Sequence, residues 1–196
     1  ITDADGNVYT SVTIGTQEWM TENLRTTKYS DGTAIPNVTD NSQWENLSTG
    51  AWCNYNNSSS NDATYGKLYN WYAASNSRNV CPTGWHVPTD SEWTVLTDYL
   101  TANGHSGAEG TALKATSGWS SGGNGTDDYG WNGLPGGLRL SDGRFSYFSS
   151  NGFWWSSSQS STTSAWFRYL YNNDGAVNRG NFYNKESGFS VRCLRD

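Results

Sequence analysis

Apolar positions along this chain change period several times, and each change predicts an element. Val8, Thr10, Val12 and Ile14 alternate with polar neighbours, the period of two of a strand. Gly15 and Thr16 turn the chain, and Trp19 and Leu24 follow in the return segment, so residues 3–24 predict a hairpin. The period lengthens at 65–74, where Leu68, Trp71 and Tyr72 stand at i, i+3 and i+4 and predict a first helix. For a second helix Thr89 is the N-cap, Glu92 closes a capping box, and Trp93, Leu96 and Leu100 form the stripe until Asn103-Gly104 ends it. Residues 107–115 add one short helical turn.

The second half reads differently. Gly, Asn and Asp cluster after Gly118, and Ser141-Asp142-Gly143 and Asn172-Asn173-Asp174-Gly175 predict turns between short strands. In residues 165–171, period two separates Trp166, Arg168 and Leu170 from Phe167, Tyr169 and Tyr171. Both rows are largely apolar. Either the strand is buried on both faces, or one aromatic row stands outside the core. The last strand, 188–195, puts Phe189, Val191 and Cys193 on one face, and the polar tract 54–62 predicts an exposed loop. Two helices followed by several short strands point to an α+β fold, with no solenoid or propeller period.

Composition sharpens this picture. Only 34% of the 196 residues are hydrophobic, yet 11 are Trp and 12 are Tyr, so aromatic rings must supply much of the core. Trp71, Trp85, Trp93 and Leu96 are the expected buried anchors. A net charge of −6, with 12 scattered Lys and Arg, argues against nucleic acid, which needs a basic stripe. No apolar run is long enough for a membrane span. The chain begins at Ile1 and not at Met, as expected of a processed or trimmed form, which leaves a removed signal peptide open. Three Cys allow one bridge and a spare thiol, or three buried thiols in a reducing cell.

Catalytic chemistry has little to stand on. His86, flanked by Trp85 and Val87, reads as a satisfied, partly buried ring, and His105 as an exposed turn residue. No zinc-binding HExxH or CxxC word occurs, and turn chemistry accounts for Asp127 and Asp128. Asp3, Asp5 and Asn7 start like a calcium loop, but Ile14 stands where its closing Glu belongs.

Two longer words, Cys81-Pro82-Thr83-Gly84-Trp85-His86-Val87-Pro88-Thr89-Asp90-Ser91-Glu92-Trp93 and Gly188-Phe189-Ser190-Val191-Arg192-Cys193-Leu194-Arg195-Asp196, carry a resemblance. With Asp5-Gly6-Asn7-Val8-Tyr9 near the start, they resemble the Fibrobacter succinogenes major paralogous domain family over nearly the whole chain. That family is similar to the C-type lectin fold in the version seen in formylglycine-generating enzymes. The resemblance implies one α+β domain over 1–196, with a twisted antiparallel sheet, two helices and long irregular loops. It also implies a Cys81–Cys193 bridge between the two words, with Cys53 free, if the protein matures outside the cytoplasm. The enzymes need a Cys pair upstream of the closing strand, and residues 82–192 contain none, so no enzyme is expected. The calcium-dependent sugar words Glu-Pro-Asn, Gln-Pro-Asp and Trp-Asn-Asp are absent too. No metal site or cofactor is expected, although structural calcium in another oxygen-rich loop stays open.

Recognition is what remains. The expected ligand-binding set is Ser157, Ser158, Phe167, Tyr169, Tyr171, Asn172, Asn173, Asp174, Asn178, Asn181 and Tyr183. Tyr among Ser, Asn and Gly is the mixture of antibody paratopes, rigid amphipathic rings beside small adaptable polar groups. The expected function is non-catalytic binding of a protein or glycan at a cell surface or outside the cell. Folds of this type also host variable proteins diversified by retroelements at Asn codons, and this set lies within the residues reachable that way. The competing expectations are a structural appendage of a larger surface protein and an enzyme of the formylglycine-generating type.

Overall fold

β1 (Ser11–Ile14) and β2 (Gln17–Met20) pair antiparallel across the Gly15-Thr16 turn, as the alternation predicts. The computed structural model describes residues 1–196. A short helix, α1 (Asn41–Glu45), follows, capped by the Asp40 carboxylate accepting from Gln43 N. Next comes β3 (Trp52–Cys53). The polar tract behind it, expected to be an exposed loop, is only partly exposed, and Tyr55 folds inward and stacks on Phe148.

The helix expected over 65–74 does not form. The segment is instead α2 (Asp62–Tyr65), β4 (Leu68–Tyr69), paired with β3, and α3 (Trp71–Ala74). Gly66 breaks the helix at φ 72°, where a Cβ would meet Asn23 and the Leu24 carbonyl. Asn70 then starts a new one, its Oδ1 accepting from Ala73 N. Trp71 is therefore half-buried, unlike Trp85, Trp93 and Leu96, which are buried as expected.

β5 (Trp85–His86) leads into α4 (Asp90–Leu100), the longest helix. Its N-terminus is the predicted capping box: Glu92 N donates to Thr89 Oγ1 while Thr89 N donates to Glu92 Oε2. A wider turn over Thr101–His105 unwinds its end, with Gly104 at φ 96°, and α5 (Glu109–Leu113) follows. Then come the hairpin β6 (Leu138–Arg139) and β7 (Phe145–Ser146), the long β8 (Asn151–Gln159), β9 (Ala165–Tyr171), β10 (Asn178–Gly180) and finally β11 (Leu194–Arg195).

The fold is α+β. One sheet runs β1-β2-β11-β5, placing the two ends of the chain side by side; another runs β10-β9-β8. The last segment is buried on both sides, since Ser190 and Arg192 are enclosed as fully as Phe189, Val191 and Cys193. Cys81 and Cys193 are joined by a disulfide, and Cys53 is free and buried. Trp19, Trp93, Trp131 and Trp154 form the centre of one core cluster, and Phe153, Trp155, Phe167 and Phe189 that of another. The β8–β9 ladder lies between them.

Candidate functional site

Strand period decides which β9 side chains meet which core. Opposed residues share a face, so Phe153, Tyr169 and Asn178 point one way, as do Trp155, Phe167 and Gly180. On the other face Trp154 and Leu170 join the tryptophan cluster beneath α4. There Arg168 Nη1 donates to Asp90 Oδ1 at 2.7 Å, and Arg179, 3.4 Å above the Trp166 ring, holds the other carboxylate oxygen. The two sequence alternatives for this strand each describe part of it. The Trp166 row is closed by α4, and the Phe167 row is buried at one end and open at the other.

The open end is an aromatic rim. Phe167 lies fully inside, stacked around by Phe153, Phe182 and Phe189. It is not a ligand-contacting ring, contrary to the sequence expectation. Tyr169, Tyr171 and Tyr183 are half-buried, with the Tyr169 and Tyr171 centroids 5.1 Å apart. Phe182 and Tyr147 are the most exposed rings, at 61% and 44%. Phe182 stands 5.9 Å from Tyr169 and 5.0 Å from Tyr183, while Tyr147 flanks Phe153. Gly180 permits this folding-back, because a Cβ there would meet the Phe167 ring at 2.5 Å.

The hydroxyls of Tyr169 and Tyr183 stay neutral. Burial raises Tyr183 to about 12, with the neighbouring Tyr147, Tyr171 and Tyr169 adding to it. Burial also raises Tyr169, and Tyr171 and Asp174 add in the same direction. Both remain hydrogen-bond donors well beyond neutral pH.

The polar members of the expected set divide. Asn173 and Asn181 are exposed beside the rings. Asn172 is tied to Ser120 through its amide, while Asp174 caps its own turn by accepting from Ala176 N and Asn178 Nδ2. These three hold the loop together. Ser157 and Ser158 lie at the far end of β8 from Tyr171: Ser157 N donates to the Pro88 carbonyl, and Ser158 Oγ accepts from Asp90 N. They belong to the start of α4 and not to the rim. Phe182 and Tyr147, which the sequence reading passed over, are its outermost rings. The signal for Phe182 was Asn181-Phe182-Tyr183-Asn184, two rings framed by amides; Tyr147, in a left-handed turn at φ 63°, had none.

Elsewhere the reactive groups are committed. His86 Nδ1 faces Asp196 at 2.7 Å and Nε2 faces Glu92 at 3.0 Å, so neither nitrogen is open to a substrate. His105 is partly buried against Tyr129, where the sequence predicts an exposed ring. Burial pushes the Cys53 thiol up to about 12 despite Arg139 nearby, leaving it protonated and unreactive. Asp127 is raised by burial and accepts from Asn132 N. In the amino-terminal loop, Asp3 accepts from Asp5 N, Asn7 N, Asn7 Nδ2 and the Tyr9 hydroxyl, so its carboxylate is satisfied within the loop. No three His, Cys, Asp or Glu side chains gather as metal ligands. Three clefts, the largest about 450 Å³ between Tyr29, Pro36, Gly50 and Arg78, all lie away from the rim. No helix is long and apolar enough to cross a membrane.

Neither the curated proteins nor the solved structures contain a match to this chain. The model of the Fibrobacter succinogenes major domain does match, over residues 12–195. That span runs from β1 through the Cys81–Trp93 word, the aromatic rim and β11, and so this chain belongs to the Fibrobacter succinogenes major domain family.

Proposed function

We propose that the protein is a non-catalytic recognition module that binds its ligand through the rim formed by Tyr147, Tyr169, Tyr171, Phe182 and Tyr183. One observation carries this reading. Phe182 and Tyr147 stay in solvent on a protein whose other Trp, Tyr and Phe rings are all buried or half-buried. Contiguous exposed rings on a rigid sheet are the usual surface of a binding site. The rim needs no metal, since ring burial and Tyr and Asn hydrogen bonds supply affinity directly. The closed surroundings of His86 and Cys53 support a non-catalytic role.

The proposed fold is the C-type-lectin-like arrangement of the formylglycine-generating type. The closing strand packed beside α4 and the long irregular stretches between short strands support it. The disulfide supports work outside the cytoplasm, at a cell surface or beyond it. Free diversification of the whole carboxy-terminal segment is not favoured, because Phe167, Asn172, Asp174 and Asn178 hold the fold. A diversified surface would be confined to Asn173, Asn181, Phe182 and their neighbours.

The test is binding of purified protein to immobilised glycans and cell-surface protein fractions, with Phe182→Ala and Tyr171→Ala alongside. Loss of binding in folded variants is expected. Unchanged binding in both would leave a structural appendage as the better reading.

A further inference from the structure

The size and charge of the rim narrow its ligand, provided the recognition reading above holds. An aromatic side chain offers roughly 150–250 Å² to bury. Phe182 at 61% and Tyr147 at 44% exposure, with three part-buried Tyr, therefore leave about 300–400 Å² of ring surface. A stable protein interface takes roughly 800 Å² from each partner. The rim is too small for a globular partner and fits a narrow one.

A narrow peptide would add to a sheet edge through its backbone. The free edge here is β10, only three residues long, and its Arg179 is held by Asp90 and Trp166. The edge offers little for strand addition.

Charge gives the second constraint. Asp174, whose charge bears on Tyr169, is already satisfied by Ala176 N and Asn178 Nδ2. Of the exposed bases close in sequence to the rings, Arg179 sits on the other face against Trp166, and Arg144 is paired with Asp142. Nothing on the rim neutralises a sulfate or a uronate, so an anionic chain gains no partner there. What the rim does offer is flat rings ~5–6 Å apart, neutral hydroxyls and the exposed amides of Asn173 and Asn181. The C–H face of a pyranose packs on such rings, and its hydroxyls match amides and phenols, which donate and accept. We infer that the rim binds an uncharged polysaccharide, with Phe182 as the main stacking platform and Asn181 as a hydrogen-bonding neighbour.

Affinity electrophoresis and calorimetry would use hydroxyethylcellulose, xyloglucan, galactomannan and dextran as neutral probes. Polygalacturonate serves as the anionic control and an immobilised random peptide library as the peptide control. Binding to at least one neutral probe is expected, unaffected by chelator. Phe182→Ala should weaken it about tenfold or more, which is the scale of a lost stacking contact, and Asn181→Ala by less, with melting temperatures unchanged. No binding to any neutral probe, or binding to polygalacturonate alone, overturns the inference. Capture of peptides that is lost in Phe182→Ala also overturns it, yet leaves the rim as the recognition face. Binding to a neutral probe that neither variant alters overturns both.

Discussion

The Asp90 carboxylate, in the first turn of α4, accepts from Arg168 Nη1 at 2.7 Å on the closed face of β9. Arg168 also donates to the Asp90 carbonyl and to Thr94 Oγ1. Helix start and strand are thereby locked in register, and the alternation of β9 then turns Tyr169 and Tyr171 outward. Removing Arg168 from this nearly closed site should destabilise the fold. Breaking a fully buried pair costs about 3–5 kcal/mol; Arg179 still neutralises Asp90, so Arg168→Ala should lose about 2–3 kcal/mol in urea unfolding. An unchanged midpoint would mean that the pair does not fix α4 on the sheet.

The same carboxylate makes stability depend on acid. Burial alone would raise Asp90, but the hydrogen bonds and charges of Arg179 and Arg168 hold it below the usual carboxylate range. For Glu92 burial also raises, and Thr89 and His86 together bring it down. Both folded values are depressed, so their stabilisation is present above the unfolded values near ~4 and is lost as pH falls through the lower folded ones. Melting temperature should be flat from about pH 7 to 5 and fall below about 4, with a shallower fall in Asp90→Asn. A steep loss between pH 7 and 5 would point to other groups.

Trp93 joins α4 to the tryptophan cluster, 4.7 Å from Trp19 and 5.9 Å from Trp131. At 1% exposure it should lose about 3–5 kcal/mol on truncation to Ala. A loss below about 1 kcal/mol, measured by denaturant unfolding, would contradict this packing.

Phe167 and Phe182 touch one another but should behave oppositely. Phe167→Ala opens the core and should lose about 3–5 kcal/mol, whereas Phe182→Ala should stay within about 0.5 kcal/mol and reduce ligand binding. Chelator should leave binding intact. Equal destabilisation by both substitutions would make Phe182 part of the core.

The bridge between Cys81 and Cys193 spans a sequence separation of 112 residues and ties the strand before α4 to the closing one. Reduction should lower stability by about 2–4 kcal/mol, as expected for a long closed loop. A non-reduced digest should yield the Cys81–Cys193 peptide pair by mass spectrometry. A linkage through Cys53 would refute the pairing.

Local signals by themselves determined several elements. The β1–β2 hairpin, the Thr89–Glu92 capping box and the α4 stripe depend on residues within a few positions of each other, so period and capping chemistry suffice. The Leu68–Trp71–Tyr72 spacing misled because Gly66 and Asn70, two local breaks inside it, outweigh an apolar stripe only three residues strong. For the candidate site, period two sorted the β9 rows correctly but was silent on what covers each. That depended on α4 arriving over Arg168 and on Phe182 folding back across Gly180 onto Phe167. Ser157 and Ser158 looked like binding residues in sequence because composition does not distinguish a serine that faces a ligand from one that caps a helix. Burial is a property of the whole packed chain: the same Phe-x-Tyr-x-Tyr alternation holds one ring at 0% exposure and leaves the next two half open, according to which distant segment lies above it.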